Sequence, residues 1–169
     1  MAKRDVTVYT SGSWDLFHVG HLNIIRRSRE LGDRLIVGVS SDALVEEYKG
    51  AKPVIPYEQR AAIVGAVKGV DEVVEQTVLS DVRILKRHQV DVLTIGDDWR
   101  DKYLEGVEWM KQHGKVVYVP YTPDVSTTEI KRNIIGDAYR LIHAELTRER
   151  ESGERWAREH AAGKDVRTK

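Results

Sequence analysis

Short runs rich in β-branched residues alternate with amphipathic stretches along residues 6–119, and this alternation restricts the chain to a few architectures. Residues 6–9, 34–39, 72–74, 92–95 and 116–119 read as strands; 19–31, 42–48, 57–68, 82–88 and 103–113 read as helices. A strand, a helix and another strand in repeated series join by right-handed crossovers, so the expected class is α/β, with a mostly parallel five-stranded sheet covered by helices on both faces. In such sheets ligands bind beyond the carboxyl ends of the strands, and the polar residues just after each strand become the candidates.

Composition narrows the function. Lys and Arg number 27 and so do Asp and Glu, which argues against a globally basic nucleic-acid binder or a polybasic membrane-surface protein. Any anion site must be built locally. With no cysteine there is no disulfide framework, thiolate zinc site or cysteine nucleophile, and a reducing cytoplasm is the expected home. No stretch reaches the roughly 18 apolar residues of a membrane span, and the first residues lack the apolar core of a signal peptide. Residues 1–143 are expected to form the working domain. Residues 144–169, dense in alternating Arg and Glu, are expected to form an exposed helical extension with a frayed end from 163.

Four post-strand segments carry candidate chemistry. After the first strand comes Ser11-Gly12-Ser13-Trp14-Asp15-Leu16-Phe17-His18-Val19-Gly20-His21, a small-residue turn entering a helix. Glycine allows close backbone approach, and a helix amino terminus presents free N–H groups and a positive dipole end to phosphate. His18 and His21 share one face of the first turn. Read alone, the pair is equally an ordinary polar helix start, and a metal pair is a third, weaker alternative that lacks a further ligand. The other segments are Tyr48-Lys49-Gly50-Ala51-Lys52-Pro53, continuing to Arg60; Gly96-Asp97-Asp98-Trp99; and Tyr121-Thr122-Pro123-Asp124-Val125-Ser126-Thr127-Thr128-Glu129. Ser126 and Glu129 also form a capping box, and acidic turns and charged loops are common surface features.

The first segment resembles the HxGH-type nucleotidylyltransferase superfamily, in which a strand is followed by Gly-(Thr/Ser)-aromatic-Asp-x-x-His-x-Gly-His. The resemblance implies a Rossmann-like fold in which His18 and His21 stabilise charge at the α-phosphate of a nucleoside triphosphate. It implies backbone access at Gly12 and Gly20, an orienting role for Asp15, and nucleotide contacts from Ser11, Ser13 and Trp14. The segment at 121–128 is similar to the Arg-Thr-x-Gly-x-Ser-Thr-(Thr/Ser) motif of cytidylyltransferases, which implies nucleotide contacts from Tyr121, Thr122, Ser126, Thr127 and Thr128. Tyr121 and Asp124 stand where that motif has arginine and glycine, and Lys131 or Arg132 is expected to compensate.

Gly96-Asp97-Asp98-Trp99 is similar to a segment of glycerol-3-phosphate cytidylyltransferases, which makes Asp97, Asp98 and Trp99 ligand contacts by resemblance. Lys49, Lys52, Arg60 and Lys68 are the implied acceptor-phosphate cations, with Lys49 also catalytic; Lys68 replaces an arginine. The family match is expected over residues 6–135. It implies transfer of CMP from CTP to glycerol 3-phosphate or a related phosphoalcohol or phosphonate, magnesium arriving with CTP on no assigned protein ligands, a homodimer, and no nucleic-acid partner. The rival from another class is a CTP-binding module without turnover.

Overall fold

The computed structural model describes residues 4–161. The expected fray at 163–169 lies outside the described residues. Strands β1 (Thr7–Gly12), β2 (Arg34–Ser40), β3 (Glu72–Gln76), β4 (Val92–Gly96) and β5 (Lys115–Val119) alternate with helices α1 (Val19–Arg29), α2 (Asp42–Lys49), α3 (Tyr57–Gly65), α4 (Val82–Arg87) and α5 (Glu105–His113). A final helix, α6, spans Thr127–Ala161, and Asp97–Trp99 forms a single 3-10 turn after β4.

The sheet order is β3-β2-β1-β4-β5 and every pairing is parallel, with Val8 opposite Leu35 and Thr10 opposite Thr94. Successive side chains of β1 go to opposite faces. Val8 joins Leu35, Val37, Val39, Ile25 and Val64, while Tyr9 joins Ile36, Leu93, Leu85 and Met110. Two buried layers follow, one on each face, as a parallel sheet requires. Tyr9 sends its hydroxyl over residue 38, where a Cβ would collide with it, to donate to Gln76 Oε1 at 3.2 Å. Gly38 is therefore fixed by packing.

The order in which successive strands are added reverses between the β1–β2–β3 wing and the β4–β5 wing, while all strands keep one direction, so the connections leaving β1 and β4 diverge at a topological switch point. Gly12, Gly96 and the segment after Val119 all end at that edge. The chain divides into two compact units, Met1–Thr127 and Thr128–Lys169. The expected boundary at 143/144 falls inside α6, which runs unbroken through it. Among the described residues no helix is long and apolar enough to cross a membrane.

Candidate active site

The turn leaving β1 is held in an unusual backbone shape. Trp14 and Leu16 both have positive φ, 53° and 47°, a conformation that L residues adopt only when their surroundings impose it. The imposing contacts are visible. The Trp14 indole is 2% exposed and donates to the Gly38 carbonyl at 2.8 Å, and the Asp15 carboxylate, also buried, accepts from the backbone N–H groups of Val54 and Ile55 at 3.1 and 3.0 Å. Trp14 is thus part of the site's floor. Its expected place among the nucleotide contacts is corrected by its burial, and its edge instead supports the His21 ring at 5.3 Å.

This turn delivers His18 to the amino-terminal cap of α1. His18 Nδ1 accepts from the Gly20 backbone N–H at 3.1 Å, so the proton of the neutral ring sits on Nε2, leaving that nitrogen a donor. A Cβ on residue 20 would lie 2.9 Å from the His18 ring and 3.3 Å from Val125 Cγ1, which ties the glycine to the cap. One turn on, the His21 ring stacks on His18 with centroids 3.8 Å apart. Burial holds both histidines below their usual range. His21 is pushed down to about 3, by burial first and then by the neighbouring His18 and Lys49, with Asp15 opposing. Among the described residues His21 Nδ1 is a buried atom with no hydrogen-bond partner.

The pair is consequently neutral near pH 7, a set of imidazole dipoles, and the cation comes from elsewhere. Lys49, at the end of α2, places Nζ 2.9 Å from Ser13 Oγ and 5.5 Å from the Tyr48 ring centre. Tyr48 in turn meets Trp99 edge-on at 6.2 Å, so an aromatic pair links α2 to the turn after β4. Asp97 accepts from the Tyr121 backbone N–H at 3.1 Å and joins the β4 and β5 turns. Because that bond uses the main chain, it does not depend on the residue at 121, whose side chain is exposed. Asp98 is exposed, and its carboxylate folds over Gly96, where a Cβ would meet it.

Beyond β5, Thr122 Oγ1 accepts from Asn23 Nδ2 of α1 at 3.2 Å, and Thr127 Oγ1 donates to the Asp15 carbonyl at 2.8 Å. Asp124 has φ 58°, a left-handed conformation that Asp tolerates better than most residues, which explains why this position can depart from glycine. Ser126 and Thr127 belong to the first compact unit; Thr128 opens the second, and Lys131 and Arg132 follow it there. Ser11 and Gly12 close β1, with Gly12 against the Trp14 ring.

Two expected acceptor cations are corrected. Arg60 is fully buried. It donates from Nε to the Ile55 carbonyl at 2.9 Å, from Nη2 to the Ser40 carbonyl at 2.7 Å and to Asp42 Oδ1 at 2.6 Å, and from Nη1 to the Ser13 carbonyl. Its charge clamps three site-bearing segments together and is not offered to a ligand. Lys68 lies in the turn between α3 and the start of β3, at the amino-terminal edge of the sheet, next to the carboxyl end of α1 where Arg29 packs on Gly69. An eleven-residue helix is about 16 Å long, so Lys68 and the histidine end of α1 lie at opposite ends of the fold. Lys52 is exposed on the loop, 3.9 Å from Glu46.

Residue type alone assigns no role to Ser40, Asp42, Gln76 or Asn23, nor to Tyr48 within its candidate segment. Ser40 and Gln76 end β2 and β3, so the rule of looking just past each strand had pointed at them, but nothing in their residue type announced a role.

Residues 9–133 match the family described as cytidylyltransferase-like. The chain is 37% identical over 128 residues to glycerol-3-phosphate cytidylyltransferase of Bacillus spizizenii, covering 75% of this chain and 95% of that protein. Against the enzyme of the same name from Staphylococcus aureus the identity is 34% over 130 residues, covering 76% and 95%. Among solved structures, the lipopolysaccharide core biosynthesis protein of Thermoplasma volcanium superposes with a TM-score of 0.57 at 23% identity, covering 70% of this chain and 98% of that one. A second, a nicotinate-nucleotide adenylyltransferase assignment from Vibrio parahaemolyticus, gives 0.56 at 16% identity over 79% and 89%; both show the shared fold. The chain is a nucleotidyltransferase and belongs to the cytidylyltransferase-like family.

Proposed function

We propose that this enzyme transfers CMP from CTP to glycerol 3-phosphate, releasing pyrophosphate and forming CDP-glycerol. The observation that carries the reading is the stacked, neutral His18–His21 pair at the amino terminus of α1, with the Lys49 ammonium anchored on Ser13 beside the same turn. In the reaction an acceptor phosphate oxygen attacks the α-phosphorus of CTP. The new P–O bond forms as the bond to pyrophosphate breaks, and the electron pair leaves with pyrophosphate. No covalent enzyme intermediate is required, so positioning and charge stabilisation supply the catalysis.

Each residue has a task in this scheme. His18 donates from Nε2 to an oxygen on which charge grows, and Lys49 neutralises the same phosphates. The α1 terminus offers backbone N–H groups past Gly20. Trp99, Asp97 and Asp98 face the nucleotide or acceptor, and Ser11, Gly12, Ser13, Tyr121, Thr122, Ser126 and Thr127 lie along the nucleotide's path. Magnesium enters this reading as the companion of the triphosphate. Among the described residues no group of three acidic, His or Cys side chains could cage an ion, and no step is routed through one. Cytoplasmic location and a homodimer complete the proposal.

The test is initial-rate pyrophosphate release with magnesium, crossing CTP and ATP against glycerol 3-phosphate, phosphoethanolamine, phosphocholine and hydroxyethylphosphonate. The reading predicts that CTP with glycerol 3-phosphate has the highest kcat/KM. A different dominant acceptor would keep the chemistry and replace the substrate; CTP binding without turnover in every combination would overturn the enzyme reading.

A further inference from the structure

Helix α6 continues 28 residues past the end of the family match at 133, and this extension carries an apolar stripe of its own. Ile135, Tyr139, Ile142 and Leu146 are 68, 68, 59 and 59% exposed. Their spacings of four, three and four are those of a heptad seam, with Tyr139 and Leu146 at a and Ile135 and Ile142 at d; Glu149, Gly153 and Trp156 extend the same register. Within the second compact unit the described residues form this one helix, and that unit by itself has no second element against which to bury such a stripe. We infer that this part of α6 pairs with the same helix of a second copy of the chain, parallel and in register.

Charge identifies the occupant. Residues 134–158 contain five arginines (140, 148, 150, 155, 158) and five acids (137, 145, 149, 151, 154), so the helix has no surplus charge to hold it on an anionic membrane or a nucleic acid. A partner with the same mixed surface fits it. In a parallel pair Glu145, at g, faces Arg150 of the second copy, at e, and symmetry makes the contact twice. Arg150 is 82% exposed and donates to Glu154 of its own helix at 3.1 Å, which leaves its remaining N–H groups for Glu145. Antiparallel layering of Ile135 on Leu146 and Tyr139 on Ile142 would set Glu145 against Ala138 and lose both ion pairs. Glu149 falls at d, where two carboxylates would meet in the seam. It makes the association weaker than an all-apolar seam would be and gives the register a signature.

The inference is independent of the substrate, and its test reads assembly in the full-length enzyme. The chain has no cysteine, so one introduced thiol reports alone. Under oxidised glutathione, Leu146→Cys is expected to form a covalent dimer far faster than Glu151→Cys, on the opposite face. Sedimentation of the unmodified thiol-free variants should show Ile142→Asp weakening association at least tenfold and Glu149→Leu strengthening it, with Glu151→Leu unchanged. Equal cross-linking at 146 and 151, or identical mass distributions for wild type, Ile142→Asp and Glu149→Leu, would overturn the inference. Wild-type rates of pyrophosphate release by Ile142→Asp would confirm that this variant still folds.

Discussion

In the proposed reaction His18 has one nitrogen to offer, because the other accepts from the Gly20 N–H. Removing the ring by His18→Ala should lower kcat about 100- to 1,000-fold, the usual cost of deleting one donor to developing charge, with circular dichroism unchanged. Wild-type turnover in the folded variant would remove His18 from the chemistry. Gly20→Ala should act on the same cap, since its methyl would collide with the His18 ring, and should lower kcat while leaving the melting temperature within a few degrees. His21 makes a separate prediction about acid. Its folded-state pKa is about 3 against an ordinary 6.5, so the unfolded chain binds the proton that the fold rejects. The contribution to stability is complete above pH 6.5 and declines as pH falls towards 3. Unfolding titrations should show a steeper loss in that window for wild type than for His21→Asn; parallel pH profiles would contradict the burial of this ring.

At the scale of elements, Arg60 and Asp15 link secondary structures that sequence distance separates. Arg60 on α3 reaches the β1 turn, the end of β2 and the loop after α2, and Asp15 pins the same loop at Val54 and Ile55. Arg60→Met would leave the buried Ser13 and Ser40 carbonyls, the part-buried Ile55 carbonyl and Asp42 without their donor, and should destabilise the protein by about 3 kcal/mol or more in denaturant titration. Arg60→Lys should recover only part, because an ammonium lacks the planar fork. An unchanged midpoint for Arg60→Met would show that the clamp is not structural. The elements themselves were legible in the sequence. All five strands and the first five helices fall within a few residues of where periodicity and Gly or Asp punctuation place them. The 3-10 turn at Asp97–Trp99 was not, since no local propensity distinguishes three residues tied down by the neighbouring turn.

At the scale of the molecule, the sheet's switch point gathers the histidine turn, Lys49, the acidic turn and the segment after β5 at one edge. That gathering was readable from the alternation of strands and helices together with the rule for open sheets. What the sequence withheld was direction within the fold. Arg60 and Lys68 look alike as cations in a string, yet one is sealed under the turn it organises and the other lies at the far edge of the sheet. Burial and topology, which no residue type encodes, decide between them. The most direct test of the central claim is phosphorus NMR of the purified enzyme with magnesium, CTP and glycerol 3-phosphate. The account predicts pyrophosphate together with the paired resonances of a diphosphate diester, in equal amounts, as CTP disappears. CMP with pyrophosphate and no diester would mean that water, and not the acceptor phosphate, attacks the α-phosphorus, and would contradict it.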